Sequence, residues 1–297
     1  MIDSVILKNA IIAAADNIKK HTAEVNELNV FPVPDGDTGI NLALTLEGCA
    51  KAVSEIEETS IGRLADKAAG ALLRCARGNS GVIFSLIFKG FAKSIQELDV
   101  IDAHALADAL EAASDEAYSA IDKPTEGTML TVIRLAASKA QSAAAKGKNA
   151  RETFAAALSG AKASLKTTPN LLPTLKKHGV VDAGGQGLVY IMEGMLGAVS
   201  EPVYLKEKSR AAEINEDIRF IYCTEFLINN PKNYDIGSLR RYFSDIGDCP
   251  AVAEHSGIIK IHVHTNEPDK ALAKGVEIGE LTDIKIDNMK FQAASRR

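Results

Sequence analysis

The sequence predicts an all-α domain over residues 1–200, followed by a smaller α+β domain over residues 201–297. Three observations lead there. No proline interrupts the chain between Pro34 and Pro124, and that stretch is rich in Ala and Leu at helical spacing. Strand-like alternation is nearly absent before residue 200. After it, β-branched and aromatic residues gather in short runs. The length of 297 residues fits two domains at roughly 150 residues each.

Each element follows from local pattern. The start, MIDSVILKNAII, has an acidic third residue and no basic leading segment, so it does not read as a secretory signal. Apolar residues at helical period predict helices over 40–56, 61–76, 80–95, 103–121, 128–146, 151–166 and 185–199. The character changes near Glu201-Pro202. The charged segment 200–217 reads as a linker with one short strand. Strands are expected at 219–228 (RFIYCTEFLI), 257–265 (GIIKIHVHT) and near 281–287 (LTDIKID), with short helices at about 236–243 and 268–277.

Composition excludes several functions. Hydrophobic residues make up 46% and charged residues 25%, so the chain can build ordinary cores. The net charge of −5, with 5% aromatics and no Trp, argues against a nucleic-acid-binding surface. The apolar run VIFSLIF at 82–88 is far shorter than the ~20 residues of a membrane span, so no integral membrane segment is expected. The four cysteines form no CxxC pair, which fits a reducing, cytoplasmic setting.

Four loops and one strand carry candidate chemistry. In the segment from Asn29 to Asn41 (NVFPVPDGDTGIN), two prolines stiffen a loop that opens a helix, and Asp35 and Asp37 flank Gly36. Carboxylates this close repel unless a cation lies between them, and hard oxygen ligands suit Mg²⁺ held together with phosphates. Thr38-Gly39 would offer N–H groups at a helix N-terminus. An ordinary solvated turn also accounts for Asp-Gly-Asp. An EF-hand does not, because counting from Asp35 the sixth residue is Ile40 and the twelfth is Leu46. The second loop, RCARGNSG from Arg74 to Gly81, offers donors and the Ser80 hydroxyl to an anion, or simply caps a core helix through Asn79 or Ser80. The third and fourth, PTEGTM (124–129) and GVVDAGGQG (179–187), are turn-rich helix starts. No Walker A loop and no GxGxxG after a strand occurs. In GIIKIHVHT, a period of two puts Lys260, His262 and His264 on one face and Ile259, Ile261 and Val263 on the other. With Cys223 in a neighbouring strand, the histidines could hold one Zn²⁺; two surface histidines and a buried cysteine are the plain alternative.

The ordered motifs LNVFPVPDGDTG, RGNSGVI, PTEGTML and GVVDAGGQGL resemble the DhaL-type nucleotide-binding domain of dihydroxyacetone kinases. Over the whole chain the sequence is more similar to the fatty acid kinase A (DAK-phosphatase, YloV-like) family. The resemblance implies a barrel of about eight helices holding ATP or ADP at one end through two Mg²⁺ ions. It places Asp35 and Asp37 on metal-binding aspartates and Asn29 where the dihydroxyacetone kinases have a third carboxylate. Thr38 stands where those kinases have His. Thr38, Gly39, Asn41, Asn79 and Ser80 match phosphate-contacting positions. Thr128, Met129, Asp182, Ala183 and Gly184 match positions around the nucleotide. In the second domain the resemblance implies a Cys223–His262–His264 zinc site and dimerisation through that domain; no fourth ligand is visible in the sequence, and Cys249 and His255 are the candidates.

The implied reaction is phosphorylation of a fatty acid carboxylate, presented by a separate DegV-type binding protein, to give an acyl phosphate. A non-catalytic nucleotide-binding scaffold and the ADP-binding component of a dihydroxyacetone kinase are the alternatives. Members of the family continue into a third, DegV-like domain, whereas this sequence ends at Arg297, as expected of a fragment or truncated product.

Overall fold

A computed structural model describes residues 1–57, 60–199 and 219–290. The helices before residue 200 are α1 (Ser4–Lys20), α2 (Thr22–Glu27), α3 (Thr38–Ser54), α4 (Ile61–Cys75), α5 (Gly78–Ser94), α6 (Ala103–Ala120), α7 (Met129–Ala144), α8 (Ala150–Leu165), α9 (Thr168–Leu171), α10 (Pro173–His178) and α11 (Ala183–Val199). The seven predicted long helices are all present, within a few residues at each end. The expectation placed on residues 200–217 lies outside the described residues.

Helix α1 is not among the helices that periodicity predicts. Its signals are nevertheless local: Asp3 accepts the Ile6 N–H at 2.9 Å as an N-cap, and Leu7, Ile11, Ala14 and Ile18 form one buried stripe. That stripe packs against α3 and α11. The helical core is built largely from alanines with Leu, Ile and Phe between them, which lets the helices approach closely.

The second unit runs β1 (Tyr222–Asn229), α12 (Ile236–Ile246), β2 (Gly247–His255), β3 (Ile258–Thr265), α13 (Pro268–Ile278) and β4 (Glu280–Asn288). The strands form one antiparallel sheet in the order β2-β3-β1-β4. Strand β2 is not expected from sequence, because Asp248 and Pro250 read as turn residues. The structure absorbs them in a register shift between Asp248 and Ala251, with Cys249 at φ 50°.

The two faces of the sheet have different fates. Phe226, Ile228, Ile259, Ile261 and Val263 pack with α12 and α13 in a small core of their own. The other face, expected to be polar, is not open to solvent: it lies on the helical domain. Glu225, Lys260, His262 and His264 are each at most 4% exposed. Ala251 and Ala253 of β2 join the helical core directly. This docking brings both candidate clusters to one place.

Candidate active site

The loop before α3 is fixed from within. Asn29 is buried and donates from Nδ2 to Asp35 Oδ1 at 2.6 Å, which holds that carboxylate at the mouth of the helix. Asn26 of α2 accepts the Gly39 N–H at 2.7 Å and the Ile40 N–H at 3.2 Å through Oδ1. Those donors are therefore taken by the protein, and Gly39 packs on α2 instead of lining the cleft. Asp35, Asp37, Thr38 and Asn41 do line it.

The second loop is pinned on two sides. Thr45 Oγ1 accepts the Arg77 N–H at 3.0 Å, and Glu225 Oε1 accepts the Gly78 N–H at 2.6 Å. Gly78 has φ +59°, and a Cβ there would run into the side chain of Asn41, so only glycine suits the position. Helix α5 takes no cap bond from Arg77 at its N-cap position. Asn79 or Ser80 is the cap that the sequence suggests; a carboxylate from the sheet fills that role instead. Asn79 and Ser80 face the cleft, and the Ser80 hydroxyl is buried without a hydrogen-bond partner. Such a group is ready for a ligand.

Thr128, Met129, Asp182 and Gly184 also line the cleft, while Ala183 does not. Asp182 is buried and accepts the Gly185 N–H at 2.7 Å through Oδ2. Burial pushes its carboxyl up to about 7, against hydrogen bonds from the Gly185 and Met129 amides. Asp182 thus ties together the N-termini of α7 and α11.

Cys223 and His264 are partners across β1 and β3, and so are Glu225 and His262. One ligand atom from each of Cys223, His262 and His264 falls within 4.8 Å of the others. A second set, Asp248, Cys249 and His264, is gathered as closely. Of the two fourth-ligand candidates, Cys249 therefore adjoins the cluster. His255 lies elsewhere, with Nε2 3.4 Å from Asp66 Oδ1. Burial lowers the pKa of His262 below its usual range, which favours the neutral ring. Its Nδ1 lies 2.9 Å from Glu225 Oε1, so the proton belongs on Nδ1 and the lone pair on Nε2. That Nε2 is buried and unpartnered; His264 Nδ1 makes no hydrogen bond either, though Asp248 Oδ1 lies 3.3 Å away. A histidine held by a carboxylate with its other nitrogen bare is the usual arrangement of a metal ligand. Burial raises the Cys223 thiol, and the charges of Glu225, Asp37 and Asp35 raise it further. A bound cation would be needed to hold it as thiolate.

Both clusters open into one cavity of about 330 Å³. Glu225 is a site residue that local sequence does not single out. Its carboxyl falls to about 2: burial works against ionisation, and the hydrogen bond from His262 Nδ1–H, with the charges of Lys260 and Lys285, overcomes it. The available signal is an acidic residue inside an apolar strand, in phase with Cys223.

Comparison with known proteins adds the family. The DAK2 domain matches residues 32–197, and the FakA-like (fatty acid kinase A) middle domain matches residues 219–296. Protein YloV of Bacillus subtilis is 39% identical over 304 residues, covering 96% of this chain and 55% of its own length. An uncharacterized protein of Staphylococcus saprophyticus is 40% identical over 308 residues, covering 98% of this chain and 56% of its own. The chain thus spans about half the length of the curated relatives it matches. The crystal structure of the dihydroxyacetone kinase of C. freundii aligns with a TM-score of 0.49 at 19% identity, over 66% of this chain and 35% of that one. No helix among the described residues is long and apolar enough to cross a membrane. From the two domain matches in sequence, the chain belongs to the DAK2-domain kinase family, in the branch that carries a FakA-like middle domain.

Proposed function

We propose that the chain is the ATP-dependent phosphotransferase component of a fatty acid kinase. It would transfer the γ-phosphoryl group to a fatty acid carboxylate presented by a DegV-type binding protein. The observation that carries this reading is the shared cavity, lined by Asp35, Asp37, Thr38, Asn79 and Ser80 from the helical domain and by Cys223, His262 and His264 from the sheet.

The donor sets fit the implied ions. Asp35 and Asp37, with Asn29 behind them, offer hard oxygens for two Mg²⁺ ions, and Cys223, His262 and His264 offer the softer set that suits Zn²⁺. Bound Mg²⁺ would supply charge neutralisation on the phosphates. The protein groups do the positioning. The unpartnered Ser80 hydroxyl can donate to a phosphate oxygen, and Thr38, Asn41 and Asn79 line the same cavity. A carboxylate acceptor is already ionised at pH 7 and needs no general base, so positioning and electrostatics suffice. The middle domain would also mediate homodimerisation.

The deciding experiment follows ATP consumption with purified DegV-type protein loaded with fatty acid, in parallel with dihydroxyacetone and its carrier protein. Acyl phosphate formation is expected. Turnover only on dihydroxyacetone overturns the reading, and nucleotide binding without turnover on either acceptor makes the chain a scaffold.

A further inference from the structure

Glu225 lies behind the cavity and contacts a lining residue from each of its halves, Gly78 and His262. It comes from β1 of the middle domain and is 1% exposed. Its Oε1 accepts the Gly78 N–H at 2.6 Å, 147 residues away in sequence, and lies 2.9 Å from His262 Nδ1. Its Oε2 lies 3.9 Å from Lys260 Nζ, and neither of those two atoms makes a hydrogen bond. The carboxylate thus reaches three groups on two domains from one buried position.

The Gly78 peptide begins the turn that presents Asn79 and Ser80 to the cavity. With no cap bond from the Arg77 side chain, the Gly78 N–H is held by Glu225, while the Arg77 N–H goes to Thr45 and the Arg77 carbonyl accepts the Gly81 N–H at 3.0 Å. The same oxygen fixes the imidazole tautomer that leaves His262 Nε2 bare. Charge-assisted bonds of this kind are about twice as strong as neutral ones. A displaced carboxylate would release the phosphate-facing loop and the imidazole together.

We infer that Glu225 is a positioning residue shared by the two halves of the site, so that nucleotide affinity in the helical domain depends on a carboxylate of the middle domain. The inference rests on the nucleotide reading above and deepens it. By thermodynamic linkage, whatever orders His262 tightens nucleotide binding, and nucleotide steadies His262 in turn.

The test uses the full chain with Glu225→Ala, Glu225→Gln and, as a control, Glu254→Gln. Glu254 lies in β2 and accepts a 2.6 Å bond from Tyr234, which, unlike the Gly78 and His262 partners of Glu225, does not line the cavity. Mg·ATP affinity is measured by calorimetry well below the melting temperature, together with the Gly78 amide resonance. Glu225→Ala is expected to weaken binding about tenfold or more, and Glu225→Gln several-fold, with the Gly78 amide moving upfield in both. Glu254→Gln should change neither. If Glu225→Ala does not fold, the near-isosteric Gln variant decides against the control. Unchanged affinity and an unmoved Gly78 amide, with only a lower melting temperature, would reduce Glu225 to a structural cap and overturn the inference. No nucleotide binding by the unaltered chain would overturn the underlying reading and the inference with it.

Discussion

Cys223 and His264 face each other across β1 and β3, and the docking of their sheet turns the pair toward Asp35 and Asp37. Their geometry predicts one zinc ion per chain. Cys223→Ala and His264→Ala should lose it and destabilise the chain by about 1–3 kcal/mol, because the second core is small. Protons compete with metal for imidazole, and burial shifts His262 below its usual ~6.5, so retention should persist through that pH and fail at lower values. Elemental analysis across pH, with thermal melts, checks this. A zinc-free protein after zinc supplementation, with variants melting like the parent, would sink it.

Asp35→Ala and Asp37→Ala should each abolish Mg·ATP binding while the chain stays folded. Their stabilities should differ. Removing Asp37 relieves carboxylate repulsion, so the melting temperature should hold or rise. Removing Asp35 strands the buried Asn29 amide, at a cost of about 1 kcal/mol. Calorimetric titration and melts separate these effects, and unchanged affinity in both variants would exclude the site.

Asp182 makes a prediction about pH. Its carboxyl sits at about 7 in the folded chain, against ~3.9 when unfolded, so the folded state holds an extra proton between those values. Stability should fall as pH rises from about 4 to 7, by an amount on the order of a few kcal/mol. Asp182→Asn keeps an acceptor for the Gly185 amide and cannot ionise. It should flatten that slope and stabilise the chain at pH 8. Urea melts across pH decide; parallel slopes in the two proteins would refute the assignment.

Gly78→Ala should weaken nucleotide binding more than its stability cost implies. The left-handed backbone and the contact with Asn41 both penalise a Cβ, together by about 1–3 kcal/mol. The adjustment falls on the loop that presents Ser80. A variant that melts lower but binds Mg·ATP normally would show the loop to be indifferent to its own backbone.

Local pattern in the chain dictated the helices, the strands with clean alternation and the four ordered loops. Each of these rests on short-range physics: period 3.6, period 2, caps and turn residues. Helix α1 is not among those predicted, although its Asp3 cap and apolar stripe are short-range features too. Strand β2 was not legible, because Pro250 and Asp248 obey local turn chemistry until a bulge in the tertiary sheet absorbs them. The candidate site divides in the same way. Asp35, Asp37, Asn79 and Ser80 stand out as loop residues, and His262 and His264 as strand neighbours. Their meeting in one cavity, the burial of the polar face of the sheet, the capture of the Gly39 amide by Asn26 and the reach of Glu225 to Gly78 come only from how the sheet and helices dock. Such contacts join residues far apart in the chain. They depend on register and on surfaces buried at a distance, which no local periodicity encodes.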